Sequence, residues 1–350
     1  MTQKRVTSRD VAQRAGVSRT TVSFVLNDVT SMKISEQTRQ RVLQAAQELG
    51  YIPDASARTL ASGKTCTLGL IVSHAKLIPV DVFIPQLLHS LYDVCREHGY
   101  RLLLETAEHA DQPGAFERLV RAKQIDGLIV LSPRQDDAHL RNLIETGYPL
   151  VLIGKYPHSA AHAVMPETNP EATYHTTAHL IGLGHRRIAF IHFMPIYDPA
   201  TDSRLFGYRQ ALDEAGIPFD EHLVRDGDYS AASGYAAMTS LLAASPRPTA
   251  LVAGNDTIAI GAMAAITEAG LHVPDDVAVT GHDDIPTARY TVPSLTTVRM
   301  PAQAMGRRCG EMAIQLMAGK QPTERQVVFP TELVIRHSCG ANPLTEPVDD

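Results

Sequence analysis

Arg19, Thr20, Ser23 and Asn27 fall on one face of a short segment whose opposite face is apolar. A guanidinium can pair bidentately with a guanine edge, and hydroxyls and amides can bond base edges or phosphate oxygens. A row of such groups along one helix is equipment for recognising a polyanion. None of them is a nucleophile paired with a base.

The elements that must carry these residues are legible in residues 6–27, VTSRDVAQRAGVSRTTVSFVLN. Val11, Ala12 and Ala15 share one face at helical spacing. Thr7 stands three residues before Asp10, a capping-box spacing that starts the helix near Ser8. Ala15-Gly16-Val17 breaks the pattern with a residue that tolerates a sharp turn. Ser18 then caps a second helix whose inner face is Val22, Val25 and Leu26. Two short helices about a glycine turn form a helix-turn-helix, whose second helix enters the DNA major groove. Ser35 caps a third helix with a stripe of Val42, Ala45, Ala46 and Leu49, stopped by Gly50.

Charge divides the chain at the same place. Up to Lys64 ten Lys and Arg face five acids, a net +5, while the rest carries 22 bases against 33 acids, a net −11. A basic head on an acidic body points to a polyanion partner for the head alone. The cysteines Cys66, Cys95, Cys309 and Cys339 form no CxxC pair and no metal-ligand spacing, which suits free thiols in a reducing compartment. The polar N-terminus does not read as a signal peptide, and no apolar run is long enough to span a bilayer. These features predict a soluble, cytoplasmic protein that does not engage membranes. No HExxH, P-loop, GxGxxG or GxSxG motif occurs, so neither an enzyme nor a cofactor is indicated.

Residues 51–65, YIPDASARTLASGKT, read as a linker. About two turns of helix-forming residues are too short to be stable alone. The segment is either a flexible tether or a hinge that turns helical when held. Leu60 is its large apolar side chain after Ile52, and apolar wedges in the minor groove kink DNA.

The first sixty residues resemble the LacI/GalR family of bacterial transcriptional regulators, through VTSRDVAQRAGVSRTTVSFVLN and ISEQTRQRVLQAAQELGYIPDASARTL. The resemblance implies that Arg19, Thr20 and Phe24 read bases, and that Thr7, Ser18, Thr21, Ser23, Asn27, Thr38 and Tyr51 lie near phosphates. It also puts Ala57 and Leu60 in a DNA-contacting hinge, with Leu60 inserted at the operator centre. Phe24 departs from the polar residue usual there and could meet a thymine methyl.

From Thr67 the pattern alternates. Strand-like runs at 68–72, 102–105, 127–131, 150–153, 188–193, 250–253, 277–280 and 295–299 are separated by helical stretches such as 84–98 and 170–183. This alternation predicts doubly wound parallel sheets, and about 270 residues calls for two lobes. The body resembles the same family through AHLIGLGHRRIAFI, RLFGYRQALDEAGIP, TALVAGNDTIAIGAMAAITEAGLHVPDDVAVTGHDD and PSLTTVRMPAQAMG. The implied fold is an N-terminal all-α helix-turn-helix head plus an α/β, two-lobed, periplasmic-binding-protein-like (type I) effector domain. The expected division is a head at 1–52, a hinge at 53–65 and a body at 66–340. Its first lobe takes 66–162 and 293–322, and its second takes 163–292 and 323–340, with crossings near His162, Pro293 and Thr323.

Ligands of open parallel sheets lie beyond the carboxyl ends of the strands. Arg204, in RLFGY, can fork two hydrogen bonds to vicinal hydroxyls or to a carboxylate. Asn255 follows the run ending at 253 and both donates and accepts, although it could equally cap the next helix, a role for which Asp256 competes. Asp283, after VAVTGH, can accept two hydroxyls. By resemblance Tyr229 supplies an aromatic face, and His74 and Phe193 follow strands on the two lobes. Three departures stand out: His282 replaces an aromatic, Thr168 replaces an acid, and Gly154-Lys155 replaces an Asp-Arg pair. The mix suits a carbohydrate effector, with a purine or amino acid as alternatives. The resemblance implies a repressor that binds pseudo-palindromic double-stranded operator DNA as a homodimer and is controlled allosterically by that ligand.

Overall fold

The computed structural model describes residues 6–26, 34–52, 59, 62–73, 78–106, 115–134, 137–157, 160–166, 169–193 and 203–341. Helices α1 (Ser8–Ala15), α2 (Arg19–Leu26) and α3 (Glu36–Glu48) close the head around Val11, Val22, Val25 and Val42. The capping box forms: the Asp10 carboxylate accepts the Thr7 N–H at 2.8 Å. Gly16 takes the left-handed conformation, φ +64°, that turns α1 into α2. Ser18 and Ser35 accept the Thr21 and Thr38 N–H groups at 3.0 and 3.2 Å, capping α2 and α3.

The body has two parallel sheets. The first runs in the order β11-β5-β4-β3-β1-β2, from β1 (Thr67–Val72), β2 (Arg101–Thr106), β3 (Gly127–Leu131), β4 (Leu150–Ile153), β5 (His162–Pro166) and β11 (Gln326–Phe329). The second runs β7-β6-β8-β9, from β6 (Ile188–Phe193), β7 (Val224–Gly227), β8 (Ala250–Ala253) and β9 (Ala278–Thr280). Helices α4 (Phe83–Glu97), α5 (Ala115–Arg121), α6 (Ala138–Glu145) and α11 (Ala302–Met317) belong to the first lobe. Helices α7 (Asn169–Gly182), α8 (Ser203–Glu214), α9 (Ala231–Leu242) and α10 (Asp256–Glu268) belong to the second. Each sheet is buried on two faces. Leu70, Ile84 and Met305 pack on one side of the first sheet, and Ile71, Phe116 and Leu140 on the other.

The expected lobe edges shift. β5 lies wholly in the first sheet and β11 pairs with it in parallel, so the crossings expected near His162 and Thr323 fall beyond Pro166 and Phe329. The expected strand at 295–299 meets the second sheet only through single parallel bridges, Thr296 to Thr280 at the end of β9 and Arg299 to Asp283. Its core, β10 (Thr297–Arg299), pairs antiparallel with β12 (Glu332–Val334), and the two form a crossover ribbon between the lobes. Strands β5, β7, β11 and β12 escaped the sequence because they are short and lie at or near sheet edges. Their mixed polar composition, as in Val224–Gly227 (VRDG), leaves no apolar run to read.

Two contacts fix element placement. The Asp126 carboxylate accepts Thr65 N–H and hydroxyl at 2.8 and 3.0 Å and Cys66 N–H at 2.7 Å, pinning the end of the linker to the first lobe. Helices α9 and α10 meet through glycines. A Cβ on Gly234 would lie 2.2 Å from the Ile258 carbonyl oxygen, and one on Gly261 would lie 1.9 Å from that of Ala231. Neither backbone can yield cheaply, so Gly261→Ala should destabilise the body by at least the ~1–3 kcal/mol typical of overpacking. Urea denaturation followed by circular dichroism checks this, and an unchanged midpoint would contradict it.

Candidate functional site

The head gathers its polar groups at helix N-termini. Ser18 and Thr21 hydroxyls lie 2.9 Å apart at the start of α2, and Ser35 and Thr38 hydroxyls are equally close at the start of α3. Helix N-termini favour anions through exposed N–H groups and the helix dipole. The start of α1 is different, because Asp10 already accepts both the N–H and the hydroxyl of Thr7. Arg19 and Thr20 are exposed on the first turn of α2, while Ser23 and Phe24 are half-buried on its second. Tyr51 packs against the head core, and Arg14 bridges to Glu48 at 2.7 Å, tying α1 to α3. Asn27, Ala57 and Leu60 lie outside the described residues.

In the body, strained backbone collects beyond the strand ends. Ser132 follows β3 with φ +54°, Tyr229 follows β7 with φ +72°, and Asp283 and Asp284 follow β9 with φ +107° and +53°. Non-glycine residues hold such angles only where the surroundings impose them, and they cluster at functional sites. Arg204, on the first turn of α8, is 9% exposed and donates from Nη1 to the Gly254 carbonyl beyond β8. Asn255 Oδ1 accepts the Ile258 N–H at 2.8 Å, capping α10, and its Nδ2 donates to the Tyr229 carbonyl at 3.2 Å. Its amide therefore also positions the Tyr229 loop. The Tyr229 ring rests against the apolar cluster of the first lobe, so a second-lobe residue spans the cleft.

Asp283 is also 9% exposed. Burial raises its carboxyl well above the ordinary range, Asp81 raises it further and Arg204 opposes both. No described residue hydrogen-bonds this carboxyl. Asp81 enters from the first lobe, just before α4, with Oδ1 accepting the Phe83 N–H at 3.0 Å. Burial raises its carboxyl too, and Arg204 again lowers it. His282 is buried, held neutral by burial and by Arg204, and its Nε2 has no hydrogen-bond partner among the described residues. The structure thus places Arg204, Tyr229, Asn255 and Asp283 beyond the carboxyl ends of the second-lobe strands or at the start of the helix that meets them. His74 lies outside the described residues, as does the side chain of Phe193 at the end of β6. Among the departures, Gly154 turns at φ +118°, Lys155 is exposed and Thr168 is not described.

The residues that sequence reasoning missed are acids. Asp256 loses the capping role to Asn255. Its carboxyl instead accepts the Thr297 hydroxyl at 2.5 Å and the Ile285 N–H at 2.8 Å, and burial pushes it up to about 7. Asp284 binds Arg299 Nε and Arg336 Nη2, each at 2.8 Å. Asp81 carried the one available signal, a lone acid between an apolar strand and an apolar helix start.

Comparisons with known proteins give the same reading. Residues 7–54 match the model described as bacterial regulatory proteins, lacI family, and residues 177–339 match a periplasmic binding protein-like domain. The HTH-type transcriptional repressor PurR of Proteus mirabilis is 33% identical over 345 residues, 97% of this chain and 98% of that protein. Its namesake in Erwinia tasmaniensis is 34% identical over the same span. Among solved structures, the lac repressor dimer bound to operator and the anti-inducer ONPF superposes with a TM-score of 0.82 at 30% identity, covering 97% of this chain and all of the other. A complex of the transcriptional regulator CelR with cellobiose gives 0.69 at 33% identity, covering 95% of this chain and all of the other. Head, two-lobed body and near-complete coverage agree: the chain belongs to the lacI family of bacterial regulatory proteins and is a DNA-binding transcriptional repressor, not an enzyme.

Proposed function

We propose that this repressor binds a pseudo-palindromic operator as a homodimer, and that a small polyhydroxylated ligand in the cleft, a sugar or sugar derivative, sets its operator affinity. The observation that carries the ligand class is Asp283, a buried carboxyl with no hydrogen-bonding partner among the described residues, which lies in the field of the donor Arg204. Sugar hydroxyls both donate and accept, and sugar C–H faces are apolar, so they suit a carboxylate, a guanidinium and the Tyr229 ring together. The solved relative in complex with cellobiose supports the same class. On the DNA side, Arg19, Thr20 and Phe24 read bases. Thr7, Ser18, Thr21, Ser23, Asn27, Thr38 and Tyr51 sit near phosphates, and Ala57 and Leu60 belong to the hinge at the operator centre.

Two experiments test these halves. Operators are recovered by sequencing genomic fragments that the protein retains. Arg19→Ala is then expected to relax specificity at one base pair in each half-site by roughly 1–3 kcal/mol. A uniform loss on every sequence would assign Arg19 to phosphate contact instead. For the cleft, thermal shift against a panel of sugars and nucleobases is run on the wild type and Asp283→Ala side by side. A sugar should stabilise the wild type and leave Asp283→Ala unshifted, with operator affinity of the variant within about twofold in the absence of ligand. A nucleobase that binds where every sugar fails overturns the ligand class. A sugar that stabilises both proteins equally removes Asp283 from the site.

A further inference from the structure

The strands of the first sheet all start at one edge, and the linker enters the body there. Thr67 pairs with Arg101, Leu68 with Gly127, Leu128 with Leu150, Val151 with His162, and Ala163 with Gln326. Adjacent strands lie about 4.8 Å apart, so six strands make an edge about 24 Å long. Asp126, just before β3, holds Thr65 and Cys66 at this edge. Five cations collect along it. Lys64 ends the linker, Arg101 opens β2 and Arg325 precedes β11. Lys123 and Lys320 follow α5 and α11, whose carboxyl ends come to the same edge. A Cβ on Gly127, the first residue of β3, would lie 2.7 Å from Met317 at the end of α11. All five are exposed, and none has an acidic partner among the described residues. The acids here are mostly engaged. Asp126 holds the linker, Arg307 takes Glu97 at 3.1 Å and Arg308 takes Glu324 at 3.6 Å. Glu145, exposed at the end of α6, is the fourth.

A body with a net charge of −11 repels DNA as a whole. Salt confines the field of an exposed charge to about 8 Å, so this edge acts only on a partner brought close to it. The linker leads from the DNA-binding head to this edge, so it is the part of the body presented to the duplex. Along one strand phosphates advance about 3.4 Å per base pair, so the edge matches about seven base pairs of backbone. We infer that the amino edge of the first lobe is a second DNA-contacting surface, where Arg101, Lys123, Lys320 and Arg325 meet operator phosphates without reading bases. Charge along the sequence points to the head alone, whereas the fold gathers cations from separate segments into one row. The inference rests on the reading of the head as the part that recognises the operator, and it adds affinity without specificity.

The test is fluorescence anisotropy of the full-length protein on a labelled operator duplex and an unrelated duplex of equal length, from about 50 to 200 mM salt. Lys123→Gln, Lys320→Gln and Arg325→Gln are combined. Arg101 is spared because it donates to the Thr65 carbonyl at 3.3 Å. In a homodimer the triple variant removes up to six phosphate contacts. The slope of log affinity against log salt should flatten by at least about 2, and affinity at the lowest salt should fall at least tenfold on both duplexes. The ratio of the two affinities should stay within about twofold. The charge-keeping set Lys123→Arg, Lys320→Arg and Arg325→Lys should bind like the wild type. Lys155→Gln, Arg186→Gln and Arg209→Gln, which remove equal charge from exposed positions away from this edge, should leave the slope unchanged. An unchanged slope in the first variant overturns the inference. So does an equal flattening in the distant set, a loss in the charge-keeping set, or a loss confined to the operator. Arg19→Ala on the same duplexes reports on the head separately, so a lost operator preference there with an unchanged slope here sinks this inference alone.

Discussion

Asp284 places one carboxylate oxygen 2.8 Å from Arg299 Nε and the other 2.8 Å from Arg336 Nη2. Arg299 continues to Glu332 at 3.0 Å, and Arg336 donates to the Leu295 carbonyl at 2.9 Å. The four residues join both strands of the crossover ribbon to the loop after β9. Asp284 and Arg336 are nearly buried, so removing either would strand a charge, a loss of about 3–5 kcal/mol. Arg299 is 41% exposed and contributes far less. Asp256 adds a second tie from the start of α10 to Thr297, and no room is left beside it. A Cβ on Gly281 would lie 2.1 Å from its Oδ1. The ribbon therefore moves with the second lobe, and any change in lobe relation must be taken up on the first-lobe side of it.

That constraint gives the proposed ligand control a physical route. The Asp283 N–H donates to the Val298 carbonyl at 2.8 Å, and its own carbonyl accepts the Met300 N–H. The residue proposed to meet the ligand is thus laced by its backbone into a crossover strand, one position from the Asp284 clamp. At the far side of the first lobe, Asp126 grips Thr65 and Cys66 where the linker ends. A ligand that prefers one relation of the lobes would shift the population of linker positions, and operator DNA would shift ligand affinity by the same factor.

Sequence reasoning reached the head almost residue by residue, because its signals are local. A capping box, a left-handed glycine and three-four spacing each involve neighbours in the chain. The same holds for the central strands, whose apolar runs are continuous because both faces are covered. What stayed hidden depends on partners far along the chain. Val224–Gly227 is a strand only because β6 lies beside it. Asp256 looks like a cap until Thr297, 41 residues away, is seen to claim its oxygen. In each case the deciding contact is tertiary and its sequence signal is a single polar residue.

Charge explains why the linker is the place for control. The chain up to Lys64 carries +5 and the remainder −11, so the head and its linker are drawn to DNA and the body as a whole is not. Of the head's three helix starts, that of α1 also carries the Asp10 carboxylate, which weakens its pull on phosphate relative to those of α2 and α3. A single head with a limited set of phosphate contacts holds DNA weakly at physiological salt. Useful affinity must then come from two linked heads, where the second binding event is effectively intramolecular. That gain vanishes when the linkers cannot place both heads on their half-sites. In the proposed dimer, a small displacement of the segment that Asp126 anchors would change operator affinity by much more than any single contact in the head.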